Sequence, residues 1–428
     1  IFLDVMHSLN GYHTCYYRTF ICGIPNQAQK DAYEQCSQWV NAALEAIKPG
    51  ALLDDISRVW PKAEEFGYAN EDEAFTFFDS QNSAGKRLSE FDLEIPDNLI
   101  AKHPSKTRDN CKLMVLNKKD ESIQHLKFSD IHQFFTKGDV LVLNNTKVYP
   151  ARLMAKKDRS DATVEVFLLR ELANDLWEAM VKPARKVRIG NKLILSPDIT
   201  CDVIDNTVSG GRVLRFDYDE QALYAFIDKH GLCPLPPYIK REPVPSDKLR
   251  YQTVYADVRG SVAAPTAGMH FTNNLLEEIQ KIGVKVANVT LHIGLGTFKP
   301  ILVEDLTRHN MDSEYYNVPP ETATIINNAK EKRKRITAVG TSTVRTLETV
   351  IVSGFQITSK EGWTDKFIYP PYDFKMVDRL ITNFHQPQST LMMLVAAFAN
   401  KDFIIKAYEE AIKKKYNFYS YGDAMFII

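Results

Sequence analysis

Cysteine is scarce and scattered. The 428 residues hold six, Cys15, Cys22, Cys36, Cys111, Cys201 and Cys233, with no CxxC pair and no His–Cys grouping at zinc spacing. A disulfide-stapled scaffold and a structural zinc ribbon are thereby excluded, and free thiols in a reducing cytoplasm are the expectation. Also missing is any apolar run near the roughly 20 residues of a membrane-spanning helix, so no membrane association is expected. Neither charge is in excess: 53 Lys and Arg stand against 54 Asp and Glu, for a net charge of -1. A balanced total leaves nucleic acid open, because binding needs a local basic face, and KEKRKR at 330–335 shows that the balance is not uniform. The chain has no GxxxxGK[ST] loop and no GxSxG elbow, which disfavours a nucleotide triphosphate motor and a serine hydrolase. Its opening, IFLDVMHSLNGY, carries no initiator Met, basic n-region or cleavage site, and reads as the interior of a domain.

A chain of this length is expected to form two or three domains. Residues 1–87 open on a strand pair, pass through two amphipathic helical stretches (AQKDAYEQCSQWVNAALEAI and LLDDISRVWPKAEEF) and end in a polar link, DSQNSAGKR. From 152 to 232 the pattern is one of short alternating runs parted by Gly, Asn, Asp and Pro, as in TVEVFLLREL and VRIGNKLILS, which argues for a small antiparallel β-barrel. On either side, in 88–151 and 233–428, apolar strand candidates (VLVLNNT, VKVANVTLHIG, RITAVGTST, RLITNF) alternate with helical segments. The expected class is therefore α/β, a mixed-sheet catalytic domain interrupted by the barrel insert and preceded by an α+β segment.

Four short runs carry most of the chemistry: AAPTAGMHF (263–271), TLHIGLGTF (290–298), GTSTVRTLE (340–348) and ITNFHQPQSTL (381–391). Each mixes small residues, hydroxyls and a His or Arg, a composition suited to backbone-lined pockets, and three follow strand candidates where an α/β crevice opens. GLGT lacks the full GxGxxG fingerprint, so each run is weak alone and only their convergence is a signal. His270, His292 and His385 are three of only ten histidines and are the candidate catalytic residues, with His270 first as acid or base. They lack the HxxxH or HxH spacing of a metal site, so no metal is expected. Thr341, Ser342, Thr343 and Arg345 suit a carboxylate or phosphate at a helix start. Thr266, Phe271, Gly294, Gly296, Thr297 and Asn383 complete the expected substrate contacts, and the LMMLVAAF helix is assigned to core.

In order, the blocks LSEFDLEIPDNLIAKHP, TRDNCKLMVL, GDVLVLNNTKVYPARL, GLCPLPPYIKR, YQTVYADVRGSVAAPTAGMHFT, VTLHIGLGTFKPI, AVGTSTVRTLE, LITNFHQPQSTLMMLVAAF and YSYGDAM resemble the S-adenosylmethionine:tRNA ribosyltransferase-isomerases of queuosine biosynthesis, from about Leu88 to Ile428. That resemblance implies transfer of the ribosyl part of S-adenosylmethionine to 7-aminomethyl-7-deazaguanine at the wobble position of a tRNA with a GUN anticodon. The products would be epoxyqueuosine-tRNA, adenine and methionine. It also implies a monomeric cytoplasmic enzyme with no cofactor beyond that co-substrate, and Arg108, Lys147 and Arg152 in the matched blocks as tRNA contacts. The chain departs from the family pattern at HNMDSE (309–314), where Asp312 replaces a usual His, at YPPY (369–372), and at Gln386 and Gln388.

DVMHSLNGYHTCYYRTF in residues 1–87 is similar to the strand pair of the creatinase and aminopeptidase fold. Asp4 occupies the first metal-binding position of that pattern, but Cys15 stands eleven residues later where a second Asp belongs, so a truncated, metal-free segment is expected. Two readings compete with the ribosyltransferase: a metal-dependent creatinase-type peptidase or lyase resting on 1–87, and a non-catalytic RNA-binding protein.

Overall fold

The strand Val140–Asn144 (VLVLN) is buried at every position, as a central strand covered on both faces must be. It belongs to a computed structural model that describes residues 86–428, apart from 159, 161, 174, 208, 209, 218, 219, 353 and 354, together with the strands Phe2–Leu9 and Tyr12–Thr19 and isolated helical positions between 27 and 45. The chain divides into two units, 1–83 and 84–428. In the first, the two strands pair antiparallel with Asp4 opposite Tyr17 and Cys15 opposite Met6. The helical stretches expected after them and the link at 79–85 lie, isolated positions aside, outside the described residues.

In the second unit nine strands form one mixed sheet in the order Lys360–Thr364, Glu314–Val318, Lys285–Leu291, Val140–Asn144, Ile336–Val339, Arg379–Asn383, Ala424–Ile427, Lys112–Asn117 and Ser122–Lys127. The third to sixth of these run parallel, and antiparallel neighbours flank them. From Val140–Asn144 the chain passes through the insert to Lys285–Leu291 on one side and later reaches Ile336–Val339 on the other. That reversal opens a crevice at the carboxyl ends of the parallel strands.

Between Val140–Asn144 and Lys285–Leu291 lies a closed six-stranded barrel, all antiparallel, made from Arg152–Lys157, Thr163–Ala173, Leu176–Lys182, Lys192–Ser196, Ile199–Asn206 and Arg212–Phe216. Alternation drives it: in Thr163–Ala173 Val164, Val166 and Leu168 turn inward to a core of their own with Trp177, Leu214 and Phe216. The helix Glu220–His230 follows, so the β-rich stretch read at 152–232 is a barrel plus one helix.

Helices cover the sheet. Thr390–Ala399 (TLMMLVAAFA) is N-capped by Ser389, whose hydroxyl accepts from the Met392 amide at 3.3 Å, and Met392, Met393, Leu394 and Val395 are fully buried in the largest core cluster. Each such side chain contributes about 1.5–3 kcal/mol by leaving water. The helix is core, as its composition requires. Among the described residues no helix is long and apolar enough to cross a membrane.

Candidate active site

A cavity of about 520 Å³ lies at the carboxyl ends of Ile336–Val339 and Arg379–Asn383. Its wall includes Thr266, Thr341, Ser342, Asn383 and His385, contributed by three of the four small-residue runs, and the fourth run supplies Ile293. The hub behind it is Asn144, which ends the central strand. Its amide oxygen accepts from the backbone N–H groups of Leu291 and Thr146 at 3.0 and 3.1 Å, and its Nδ2 donates to the Leu291 carbonyl and to Ser342 Oγ, both at 3.0 Å. One buried side chain thus ties two strands to the helix Thr341–Thr349. Nothing in the sequence argument singled Asn144 out, although a polar pair closing the apolar run VLVL was the available signal.

The first run forms a tight turn at Thr266–His270. Gly268 is required there because a Cβ would stand 1.9 Å from the Tyr255 hydroxyl. Thr266 faces the cavity, whereas Phe271 packs edge-on against Phe128 at 5.0 Å in the core below. His270 is not on the cavity wall. Its Nδ1 lies 3.1 Å from Cys111 Sγ and its Nε2 3.2 Å from Asn383 Nδ2. Asn383 Nδ2 also donates to the Tyr419 carbonyl at 3.1 Å, so the amide presents N–H groups to two acceptors and its orientation is fixed. His270 Nε2 is then the acceptor, and the ring proton sits on Nδ1, toward the thiol.

The other two histidines differ in place. His292 Nδ1 bonds Thr146 Oγ1 at 2.8 Å, and the ring stacks on Tyr315. It fits because Gly260, at φ +154, has no Cβ, which would stand 2.4 Å from Nε2. His292 does not line the cavity; His385 does, with Nε2 2.7 Å from Thr382 Oγ1 and its backbone N–H donating to Tyr408. Burial drives all three imidazoles neutral, His270 and His292 to about 4 and His385 to about 3, and for His270 the nearby Arg108 charge adds to the shift.

These shifts give an expected acid sensitivity. The folded chain keeps the rings neutral while the unfolded chain protonates them below about 6.5, so stability is complete above that pH and falls as pH drops toward 4. Each buried ring, His270 and His385, contributes a loss of about 1.4 kcal/mol per pH unit in that window. Denaturant melts at pH 7, 6 and 5 measure it, and a flat profile would contradict the buried neutral state.

Arg345 does hold a carboxylate, but it is the protein's own. Its Nη1 pairs with Glu314, with both side chains under 5 % exposed, and its Nε donates to the Lys366 carbonyl at 2.9 Å. The other oxygen of Glu314 accepts from Gly294 N–H at 2.8 Å, so the guanidinium secures the GLGT turn from behind. Gly294 and Gly296 belong to that turn but are not on the cavity wall; Gly296 packs on Asp312, and Thr297 has a side chain outside the described residues. Thr343 is buried with its hydroxyl on the Val339 carbonyl. The helix start that faces the cavity is Thr341–Ser342, after Gly340 at φ +87.

The three expected tRNA contacts do not meet in one hollow. Arg108 donates to the Met269 and Leu249 carbonyls beside His270. Lys147 is exposed and lines a hollow of about 280 Å³ with Lys248 and Arg259. Arg152 is half-buried in an ion pair with Glu165 at 2.7 Å. Among the described residues no group of three or more His, Cys, Asp or Glu is placed to hold a metal ion.

The family model described as Queuosine biosynthesis protein matches residues 88–427, and that of Metallopeptidase family M24 matches residues 1–78. A Chloroherpeton thalassium protein named S-adenosylmethionine:tRNA ribosyltransferase-isomerase is 54% identical over 344 residues, 80% of this chain and 99% of its own. A Sulfurihydrogenibium protein of the same name is 51% identical over 342 residues, 80% of this chain and all of its own. The chain belongs to the queuosine-biosynthesis family. Among solved structures, the crystal structure of S-adenosylmethionine tRNA ribosyltransferase from Thermotoga maritima covers 79% of the chain at 39% identity, with a TM-score of 0.46.

Two family blocks that sequence reasoning left out of the site also reach the cavity. Tyr238, from GLCPLPPYIKR, and Ser420, from YSYGDAM, both line it and hydrogen-bond each other. In the M24-like segment the residues present do not fit the two-aspartate pattern, with Cys15 at the second position, and no step is derived through a metal there.

Proposed function

We propose that residues 88–428 transfer and isomerise the ribosyl moiety of S-adenosylmethionine onto 7-aminomethyl-7-deazaguanine at the wobble position of a GUN-anticodon tRNA, giving epoxyqueuosine-tRNA, adenine and methionine. One observation carries this: blocks far apart in the chain and matched by the family wall a single cavity at the carboxyl ends of the parallel strands. Its volume suits a ligand the size of a nucleoside joined to an amino acid. In this reading 88–151 and 233–428 form the catalytic domain and 152–232 the insert, the chain acts as a cytoplasmic monomer, and S-adenosylmethionine is a co-substrate with no further cofactor. Lys147, Arg108 and Arg152 serve the RNA side at separate points, Arg108 by bracing the His270 turn.

The chemistry asks for a base and then an acid. The donor's sulfonium acidifies the adjacent C5' hydrogens, so a modest base suffices to begin. His385 is the imidazole on the cavity wall, and burial holds it in the proton-accepting form. A neutral ring can accept a proton but cannot protonate the departing adenine, which needs another donor. Incubating the protein with S-adenosylmethionine and tRNA carrying the aminomethyl base should release adenine, and no release without that tRNA is expected. Retention of tRNA with no adenine formed would favour the binding-only alternative.

A further inference from the structure

Lys299 is the one Lys, Arg, Asp or Glu among the described residues that wall the cavity, and its carboxylate partner Asp312 stands just outside that wall. It stands beside Pro300 and Ile301, and the uncapped start of the nine-residue helix Thr341–Thr349 opens onto the same space. A lysine ammonium and helix-terminal N–H groups share one wall, a set of donors that suits a ligand with an anionic end.

The Lys299 ammonium is engaged by Asp312 Oδ2 at 2.6 Å, and both side chains are about half exposed, at 47% and 49%. A pair so open to water is worth at most about 1 kcal/mol, so a ligand carboxylate can replace Asp312 at little cost. Asp312 is held close by the GLGT turn: a Cβ on Gly296 would lie 2.7 Å from its Oδ2, so glycine is what lets the turn approach. The pair thus offers one positive and one negative group side by side, complementary to an α-amino acid zwitterion.

Resting on the ribosyltransferase reading, we infer that Lys299 binds the α-carboxylate of the donor's amino-acid half while Asp312, released from Lys299, takes its α-ammonium. The pair selects for the amino-acid end of the donor, leaving the nucleoside to the His385 and Asn383 side of the cavity.

Two neutral thioethers test this, S-adenosylhomocysteine and 5'-methylthioadenosine, which share the nucleoside and differ in the amino-acid portion. Calorimetric titration of the full chain should show Lys299→Met weakening S-adenosylhomocysteine binding about tenfold with methylthioadenosine unchanged. Lys299→Arg should restore most of the loss, and Asp312→Asn should lower only the first affinity, by several-fold. Equal weakening of both ligands by Lys299→Met, or of neither, overturns the assignment. Should the unmodified protein bind neither of these nor S-adenosylmethionine, the ribosyltransferase reading itself falls.

Discussion

Arg345→Met is expected to cost the folded chain about 3–5 kcal/mol, the penalty for removing one member of a buried ion pair and leaving the other uncompensated. Arg345 and Glu314 are 4 % and 3 % exposed, and Glu314 in turn fixes the Gly294 amide. The guanidinium loss therefore takes the ion-pair partner Arg345 from the buried Glu314 carboxylate and loosens the turn behind the cavity. Glu314→Gln combined with Arg345→Met removes both charges and should recover much of the stability, since no unpaired ion remains. Urea melts of the two variants measure both effects. An Arg345→Met protein as stable as the parent but unable to bind S-adenosylmethionine would make Arg345 a ligand group instead.

The second large effect concerns His270. Neutral, with Nδ1–H toward Cys111 and Nε2 accepting from Asn383, it fixes the side chain of a residue on the cavity wall. Burial also pushes the Cys111 thiol up, so the pair is thiol and neutral imidazole and not a thiolate nucleophile. His270→Phe keeps a ring in the space but removes the acceptor, and misplacing Asn383 should lower adenine release about 100-fold. His270→Gln sets an amide oxygen near the old Nε2 and should retain activity to within several-fold. Were His270 the proton carrier, as its place in a small-residue loop first suggests, Gln would be as damaging as Phe, with a loss of 10² to 10⁴. Melting curves of both variants separate that result from unfolding.

The architecture was legible because it follows from periodicity. VLVL is an unbroken apolar run, ITAV and RLIT are short β-branched-rich stretches of strand length, and the alternation in 152–216 has period two, so the mixed sheet and the barrel insert could be read directly. The place of the cavity was also legible, since small residues and hydroxyls sat just past strand ends. Side-chain direction was not. His270 is oriented by Cys111 and Asn383, 159 and 113 positions away, and Arg345 by Glu314, 31 positions away. Local composition contains neither contact. Phe271, Thr343 and Arg345 share runs with true wall residues, yet the turn and helix that display Thr266 and Thr341 necessarily turn those neighbours inward.

The claim at the centre is that the ribosyl carbons of the donor end up on tRNA. S-adenosylmethionine labelled with ¹³C in its ribose, incubated with the full chain and tRNA bearing 7-aminomethyl-7-deazaguanine, should give a labelled wobble nucleoside, with adenine and methionine released in equal amounts to the label gained. Adenine release with no label in the RNA, or label that appears equally in tRNA lacking the aminomethyl base, would contradict it.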